Sequence, residues 1–364
     1  MLQKTYTTYT MKDVVQAVQE VCAMPERTAS KCILLKMLFS KTSEEQAESV
    51  RRYIQSALPD IKIVGMLQTE FGNVYDAQHL NIVLGFHFFE QSEVEIREYG
   101  GREDYTALGR SIGQELQDMP YVKGIEVFFA GRSQYLTSFL DELSAENENI
   151  PIFGVDVEVY DLYTLQQSKN FFSEITHSEI PHYLVTDHVF LHGMVIVLYM
   201  GQDLHLQVDY LLGWKALGRY LKISGVKENH IVSRIDDMPA TDIYKKYLRV
   251  RPDEYFIFNI CEFPVVSERE GELIARVPNA YNDNKQLYFN SELHEGDQIR
   301  LSYANPQNLL HETWTASEHM RGFGAQAISL VICGNRKLFL KDKAQMEIDV
   351  YERIQKGTLA FYGQ

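Results

Sequence analysis

Gly213-Trp214-Lys215-Ala216-Leu217-Gly218 is the stretch that decides how this chain is built. A tryptophan, one of two in the chain, stands there between flanking glycines. Such a residue plugs the base of a sheet where the chain bends, with a large apolar face and an N–H handle. Upstream, Val189 to Met200 and Leu204 to Leu212 flank Gly201-Gln202-Asp203 and predict a hairpin of two long strands. Downstream, Leu221 to Ile223 and His230 to Ile235 predict a shorter hairpin through Lys227-Glu228-Asn229. Pro239 suits the first turn of a helix over Ala240 to Leu248.

The style of the chain is different before residue 156. Lys31 to Phe39 (KCILLKMLF) is a compact apolar run and reads as a buried strand. Ser43 with Gln46 forms a capping-box pattern, after which Ala47, Val50, Ile54 and Leu58 recur at helical spacing up to Pro59. Ile61 to Leu67 is the next strand, so this is a strand–helix–strand unit with a right-handed crossover if the strands are parallel. Strands follow at Leu80–Phe89, Gly124–Ala130 and Ile150–Val155. Helices run through Leu108, Ile112 and Leu116, and through Leu136, Phe139, Leu140 and Leu143. This alternation implies helices packed on largely buried sheet.

Beyond Leu248 the pattern predicts antiparallel strands at Tyr255–Ile260, Leu273–Val277, Gln286–Phe289 and Gln298–Tyr303. A helix at Pro306–Ser317 and a strand at Ala325–Cys333 come next, then a helix at Asp342–Ile354 whose Met346, Val350 and Ile354 share a face, and a strand from Leu359. The expected fold is α+β and two-lobed, with mixed and antiparallel sheets packed together and flanked by helices. A four-layer α/β/β/α sandwich is the alternative. The expected division is an N-terminal extension over 1–30, a first domain over 31–212 and a second over 213–364.

Composition limits the function. The 364 residues carry a formal net charge of −15, which argues against neutralising the phosphates of a nucleic acid or docking on an anionic membrane. The longest apolar run, Val189 to Met200, is broken by His192-Gly193 and falls short of a membrane span. Cys22, Cys32, Cys261 and Cys333 form no C-x-x-C pair, so reduced thiols in the cytoplasm are expected.

Two clusters offer chemistry. His177, His182, His188 and His192 are spaced closely enough to hold a metal, or to be an aromatic surface loop. Cys333 and Arg336 offer a thiolate beside a guanidinium, or a strand end with Arg336 bridging to Glu347. Gly109-x-x-x-Gly113 and Gly322-Phe323-Gly324 lack the strand–turn–helix setting of a phosphate loop.

In order and spacing the chain resembles the FIST family, a bacterial sensory domain also found in some eukaryotic F-box proteins. The resemblance rests on Ile63-Val64-Gly65, Ile150-Pro151-Ile152-Phe153-Gly154, the Gly213–Gly218 segment, Pro239-Ala240 with Tyr244, Phe263-Pro264, Arg276, Gly296, Cys333-Gly334-Asn335-Arg336 and Glu347. It departs from the family after Gly65, where Met66-Leu67-Gln68-Thr69 replaces the usual Cys and hydroxyl residues, and at Val155, which replaces a second glycine.

The resemblance implies a cytosolic, non-catalytic input module that binds a small ligand, an amino acid or its derivative. A C-terminal output domain such as a GGDEF diguanylate cyclase would read it. Ligand contacts are expected from Gln68, Thr69, Asp156, Trp214, Arg276, Cys333 and Arg336, with Arg276, Arg336 and Asp156 recognising carboxylate and amine groups. No cofactor, metal, nucleic acid or membrane is expected, and a homodimer is compatible with the reading. The competing functions are an enzyme using Cys333 or a histidine-held metal, and an interaction scaffold without a pocket.

Overall fold

The computed structural model describes residues 1–363 except 41, 68–80, 102–103, 132, 148, 158–182, 252, 254–255, 270 and 290. Its first unit is β1 (Leu2–Thr8), α1 (Met11–Ala23), α2 (Pro25–Ala29), β2 (Cys32–Phe39), α3 (Glu44–Ala57), β3 (Lys62–Leu67) and β4 (Ile82–Phe89). A second follows: β5 (Glu93–Gly100), α4 (Tyr105–Gln117), β6 (Val122–Ala130), α5 (Ser133–Glu146) and β7 (Ile152–Asp156). The short β8 (Leu184–Val185) and β9 (Val189–Phe190) return to the first unit, and β10 (Gly193–Met200) completes the second.

The two units share one topology. Sheet one is ordered β1-β4-β2-β3-β8-β9 and sheet two β5-β10-β6-β7. In each, two parallel strands are joined through a helix, β2 to β3 by α3 and β6 to β7 by α5. An antiparallel strand then lies beside the first of them, β4 or β10. The registers also match. Met37 faces Gly65 where Val127 faces Gly154, so Lys36 and Glu126 occupy equivalent places. Leu34 faces His87 where Gly124 faces Tyr199, so these two are equivalent as well.

Strand periodicity explains how the sheets stack. Leu35, Met37 and Phe39 face α1 and α3, while Leu34 and Leu38 face the other sheet. Ile125, Val127 and Phe129 pack under α4 and α5, leaving Phe128 and Ala130 for the layer between the sheets. The first lobe is thus the four-layer α/β/β/α sandwich. Helix α3 starts as predicted: Ser43 Oγ accepts from the Gln46 amide at 3.2 Å and Gln46 Oε1 accepts from the Ser43 amide at 2.9 Å.

The second lobe is a barrel-like sheet. Its strands are β11 (Lys215–Lys227), β12 (Ile231–Ile235), β13 (Met238–Pro239), β14 (Val265–Arg269), β15 (Glu272–Arg276), β16 (Pro278–Tyr281), β17 (Leu287–Phe289) and β18 (Gln298–Tyr303). They run β15-β14-β18-β11-β12-β17-β16, and Val277 joins the two end strands, so the sheet nearly closes. Helices α6 (Ala240–Leu248) and α7 (Phe256–Cys261) contribute Tyr244 and Phe256 to its core. Helix α8 (Pro306–Phe323), β19 (Ser329–Cys333), α9 (Gly334–Leu340), a 3₁₀ turn, α10 (Gln345–Glu352) and β20 (Leu359–Gly363) complete the chain. β19 and β20 pair in parallel, and β20 places Leu359 and Phe361 in the layer between the two sandwich sheets. Gly85 admits that strand, since a Cβ there would meet Leu359 Cδ2 at 2.9 Å.

Both glycines of the opening stretch have work to do. Gly213 has φ +77° and Gly218 φ +71°, a region that L side chains seldom adopt. At Gly218 the pairing of β11 with β18 shifts register between Leu217 and Leu221, so the bend is a bulge. At Gly213 a Cβ would stand 2.3 Å from Leu309 Cδ2. Gly213→Ala is therefore expected to cost about 2 kcal/mol, measured by denaturant unfolding.

Three expectations need correction. Leu204 to Leu212 is not a strand: β10 is flanked on both sides by β5 and β6, so no pairing edge remains. The apolar alternation there has another cause, since Leu204 and Leu206 pack on the sandwich core from outside. The strand expected over Tyr255–Ile260 is replaced at its described residues by helix α7, Phe256–Cys261, with Phe256, Ile257 and Ile260 buried at helical rather than strand spacing, and Tyr255 lies outside the described residues. The Asp342–Ile354 helix is a 3₁₀ turn plus α10, which buries Glu347 and leaves Met346 51% exposed.

Candidate functional site

A cavity of about 1190 Å³ lies where the sandwich, the barrel and the β19–β20 pair meet. Residues 203–212 and 323–333 form much of its wall. Lys36, His87 and Tyr199 line it from the layer between the sheets.

These side chains belong to a buried polar cluster. Lys36 Nζ lies 2.7 Å from Glu126 Oε1, and both side chains are almost fully buried. Tyr199 donates its hydroxyl to Glu126 Oε2 at 2.6 Å. Ser329 Oγ of β19 stands 3.4 Å from Lys36 Nζ, the longest bond of the group. His87 faces the Gly85 carbonyl with Nδ1 at 3.1 Å, while Nε2 is buried with no hydrogen-bond partner. Burial, reinforced by the Lys36 charge, pushes the His87 pKa down to about 3. The ring is therefore neutral, Nδ1 carries the proton and Nε2 is an acceptor. Burial and the Glu126 carboxylate hold the Tyr199 phenol well above its ordinary value, so it stays a donor.

A second cluster closes the cavity on the other side. The Arg336 guanidinium, at the start of α9, meets Glu347 of α10 through Nε at 2.8 Å and Nη2 at 2.6 Å. It also donates to Thr313 of α8 at 3.0 Å and to the Leu212 carbonyl at 2.9 Å. One side chain thus joins three helices to the chain entering Gly213. Lysine offers no planar fork for this geometry. Arg336→Lys is expected to lose about 2 kcal/mol in thermal or urea unfolding.

Trp214 is both core and wall. It is 8% exposed, donates Nε1–H to the Glu262 carbonyl at 3.0 Å and packs on Phe339 with ring centroids 5.3 Å apart. Cys333 opens on the cavity. Protein surrounds its other sides, and this burial pushes the thiol up, against the opposing pull of the Asn335 and Arg336 amides. The Arg336 charge, which would activate a thiolate, is engaged by Glu347.

Of the seven residues expected at a ligand, Trp214, Cys333 and Arg336 meet at the cavity. Arg276 does not line it: its Nε donates to the Glu292 carbonyl at 2.8 Å and Nη1 to Ser267 Oγ at 2.5 Å, tying the barrel together. Asp156 is buried and does not itself line the cavity, although its carbonyl meets Gly363, which does. Gln68 and Thr69 lie outside the described residues, as do His177 and His182. His188 packs at a tilt against Phe190 and stands 3.5 Å from Glu98. Among the described residues no group of three or more His, Cys, Asp or Glu side chains is placed to hold a metal ion.

The sequence reading missed Lys36, His87 and Glu126. A signal for them exists. Each is a lone polar residue in the middle of an apolar strand, in ILLKMLF, GFHFF and GIEVFFA. Charged groups are seldom buried unless paired, so such positions predict one another.

The fold and the site define a two-lobed α+β protein with a ligand-sized cavity at the seam of its lobes. Among the described residues no helix is long and apolar enough to cross a membrane. The chain belongs to the FIST family, the FIST N domain matching residues 35–238 and the FIST C domain residues 240–363. FIST domains are sensory signal-transduction domains. A search of curated proteins finds no match to the chain.

Proposed function

We propose that this FIST protein is a ligand-sensing input module whose small-molecule ligand occupies the seam cavity. The observation that carries the reading is the origin of the walls. The sandwich, the barrel, residues 203–212 and the β19–β20 segment all contribute to one cavity. An occupant touching all of them favours one arrangement of the seam over others, which is what a sensor requires. The signal leaves through α9 and α10, which the Arg336–Glu347 pair ties together, and through β20, which pairs with β19 ahead of α9. A C-terminal output domain in cis, of the diguanylate cyclase kind, is the reader we propose. The cytoplasm is the compartment we propose, in keeping with four cysteines that form no disulfide.

An amino-acid ligand has weaker support in the side chains. Arg276 lies off the cavity and Arg336 is engaged by Glu347.

Equilibrium dialysis against a metabolite extract, read by mass spectrometry, tests the reading. The protein should retain small molecules that an Ala327→Trp variant, whose new ring narrows the cavity, retains less. Equal retention by both proteins, or none by either, counts against it.

A further inference from the structure

The equivalence of the two sandwich units exposes an asymmetry. Glu126 and Tyr199 of the second unit are bonded to each other at 2.6 Å. The equivalent residues of the first unit, Lys36 and His87, both line the cavity, and His87 Nε2 has no partner. A buried acceptor left unpaired costs free energy that a suitable donor recovers.

We propose that the inner end of the cavity takes a neutral hydroxyl on a flat, largely apolar ligand, donated to His87 Nε2 and accepting from Lys36 Nζ. This deepens the ligand-sensing reading and rests on it. The hydroxyl does for His87 what the Tyr199 phenol does for Glu126. The chemistry selects against other end groups. A carboxylate has no proton to give Nε2, and the ring beside Lys36 does not take one up. An ammonium group would be set beside the Lys36 charge. The floor itself is neutral, since Lys36 is compensated by Glu126. The aromatic faces of Phe89, Phe153 and Tyr199, which pack together with centroids 6.1–6.3 Å apart, suit a flat body.

Recognition here is coupled to movement. Nε2 is shut off from solvent in this arrangement, so a ligand oxygen reaches it only by shifting a neighbour. The weakest bond at the floor is the 3.4 Å contact of Lys36 with Ser329. Trading it for the ligand oxygen frees the Ser329 side chain at the start of β19, while Gln3 still holds Ile328 through two hydrogen bonds, and β19 leads directly into α9.

The test uses four probes of one shape on the full chain: 4-methylphenol, toluene, benzoate and benzylammonium. Calorimetric titration should show 4-methylphenol binding about tenfold tighter than each of the others. That preference over toluene should vanish in His87→Phe, and the ¹⁵N resonance of wild-type His87 Nε2 should move on adding the phenol. The resonance keeps the test valid if the variant fails to fold. Benzoate or benzylammonium binding as tightly as the phenol would overturn the hydroxyl assignment and leave ligand sensing standing. So would an unmoved Nε2 resonance at saturation. If none of the four binds and the dialysis experiment also finds no retained molecule, the sensing reading fails with it.

Discussion

Glu126→Leu is expected to destabilise the protein by about 3–5 kcal/mol, more than the loss expected from Gly213→Ala or Arg336→Lys. It strands the Lys36 ammonium, 2% exposed, with the 3.4 Å contact to Ser329 and the face of the Tyr199 ring in place of a counter-charge. It also leaves the Tyr199 hydroxyl without its acceptor. Apolar replacement of both partners is a different matter, because it removes the desolvation cost along with the attraction. Lys36→Met with Glu126→Leu should therefore recover most of the loss. Urea unfolding with matched slopes reads both variants. Equal instability of the single and double variants would show that the damage comes from packing and not from the stranded charge.

Acid should destabilise the protein in a window set by His87. In the unfolded chain an imidazole takes a proton near pH 6.5. In the folded protein His87 resists protonation until about pH 3. Between those values the unfolded state binds more protons, so stability falls as pH drops. The loss amounts to roughly 2–3 kcal/mol by pH 4.5 and to roughly 5 kcal/mol once both states are protonated. Glu48, held down to about 2 by Arg51 and Arg52, adds its own loss only below the ordinary carboxylate range. The two contributions overlap only between about pH 4.5 and 3, so above that range the His87 contribution is read without that of Glu48. His87→Phe should flatten the urea midpoint between pH 6.5 and 4.5 while leaving the steeper fall at lower pH. An unchanged profile in that variant would assign the acid sensitivity to other groups.

Local signals carried much of the fold. The Ser43–Gln46 box placed α3, Pro239 placed α6, and the alternation of Gln298–Tyr303 placed β18. Signals failed where a segment's neighbours decide its form. Glu93–Gly100 is an edge strand with charged residues on its outer face, so its apolar content is low and it went unread. Leu204–Leu212 alternates like a strand, but the edge it would pair with is already occupied.

The candidate site was legible only in part, for a related reason. Trp214, Cys333 and Arg336 stand in local motifs. Lys36 and Glu126 are 90 residues apart and make sense only as a pair. The likeness of the two units was equally hidden, because equivalent positions hold different chemistry: lysine against glutamate, histidine against tyrosine. Only strand order and register reveal it.

The last strand has a bearing on how the protein is made. Leu359 and Phe361 of β20 are fully buried between two sheets formed from residues before 201. Each contributes about 1.5–3 kcal/mol of apolar burial to a lobe it does not belong to in sequence. On the ribosome the sandwich emerges first, yet an apolar slot beside Gly85 stays open until residue 361 arrives. The first lobe thus waits on the second, with a sticky surface exposed during translation. Two family segments share one folding decision, and a cut between them would leave the first half without the strand that fills its centre.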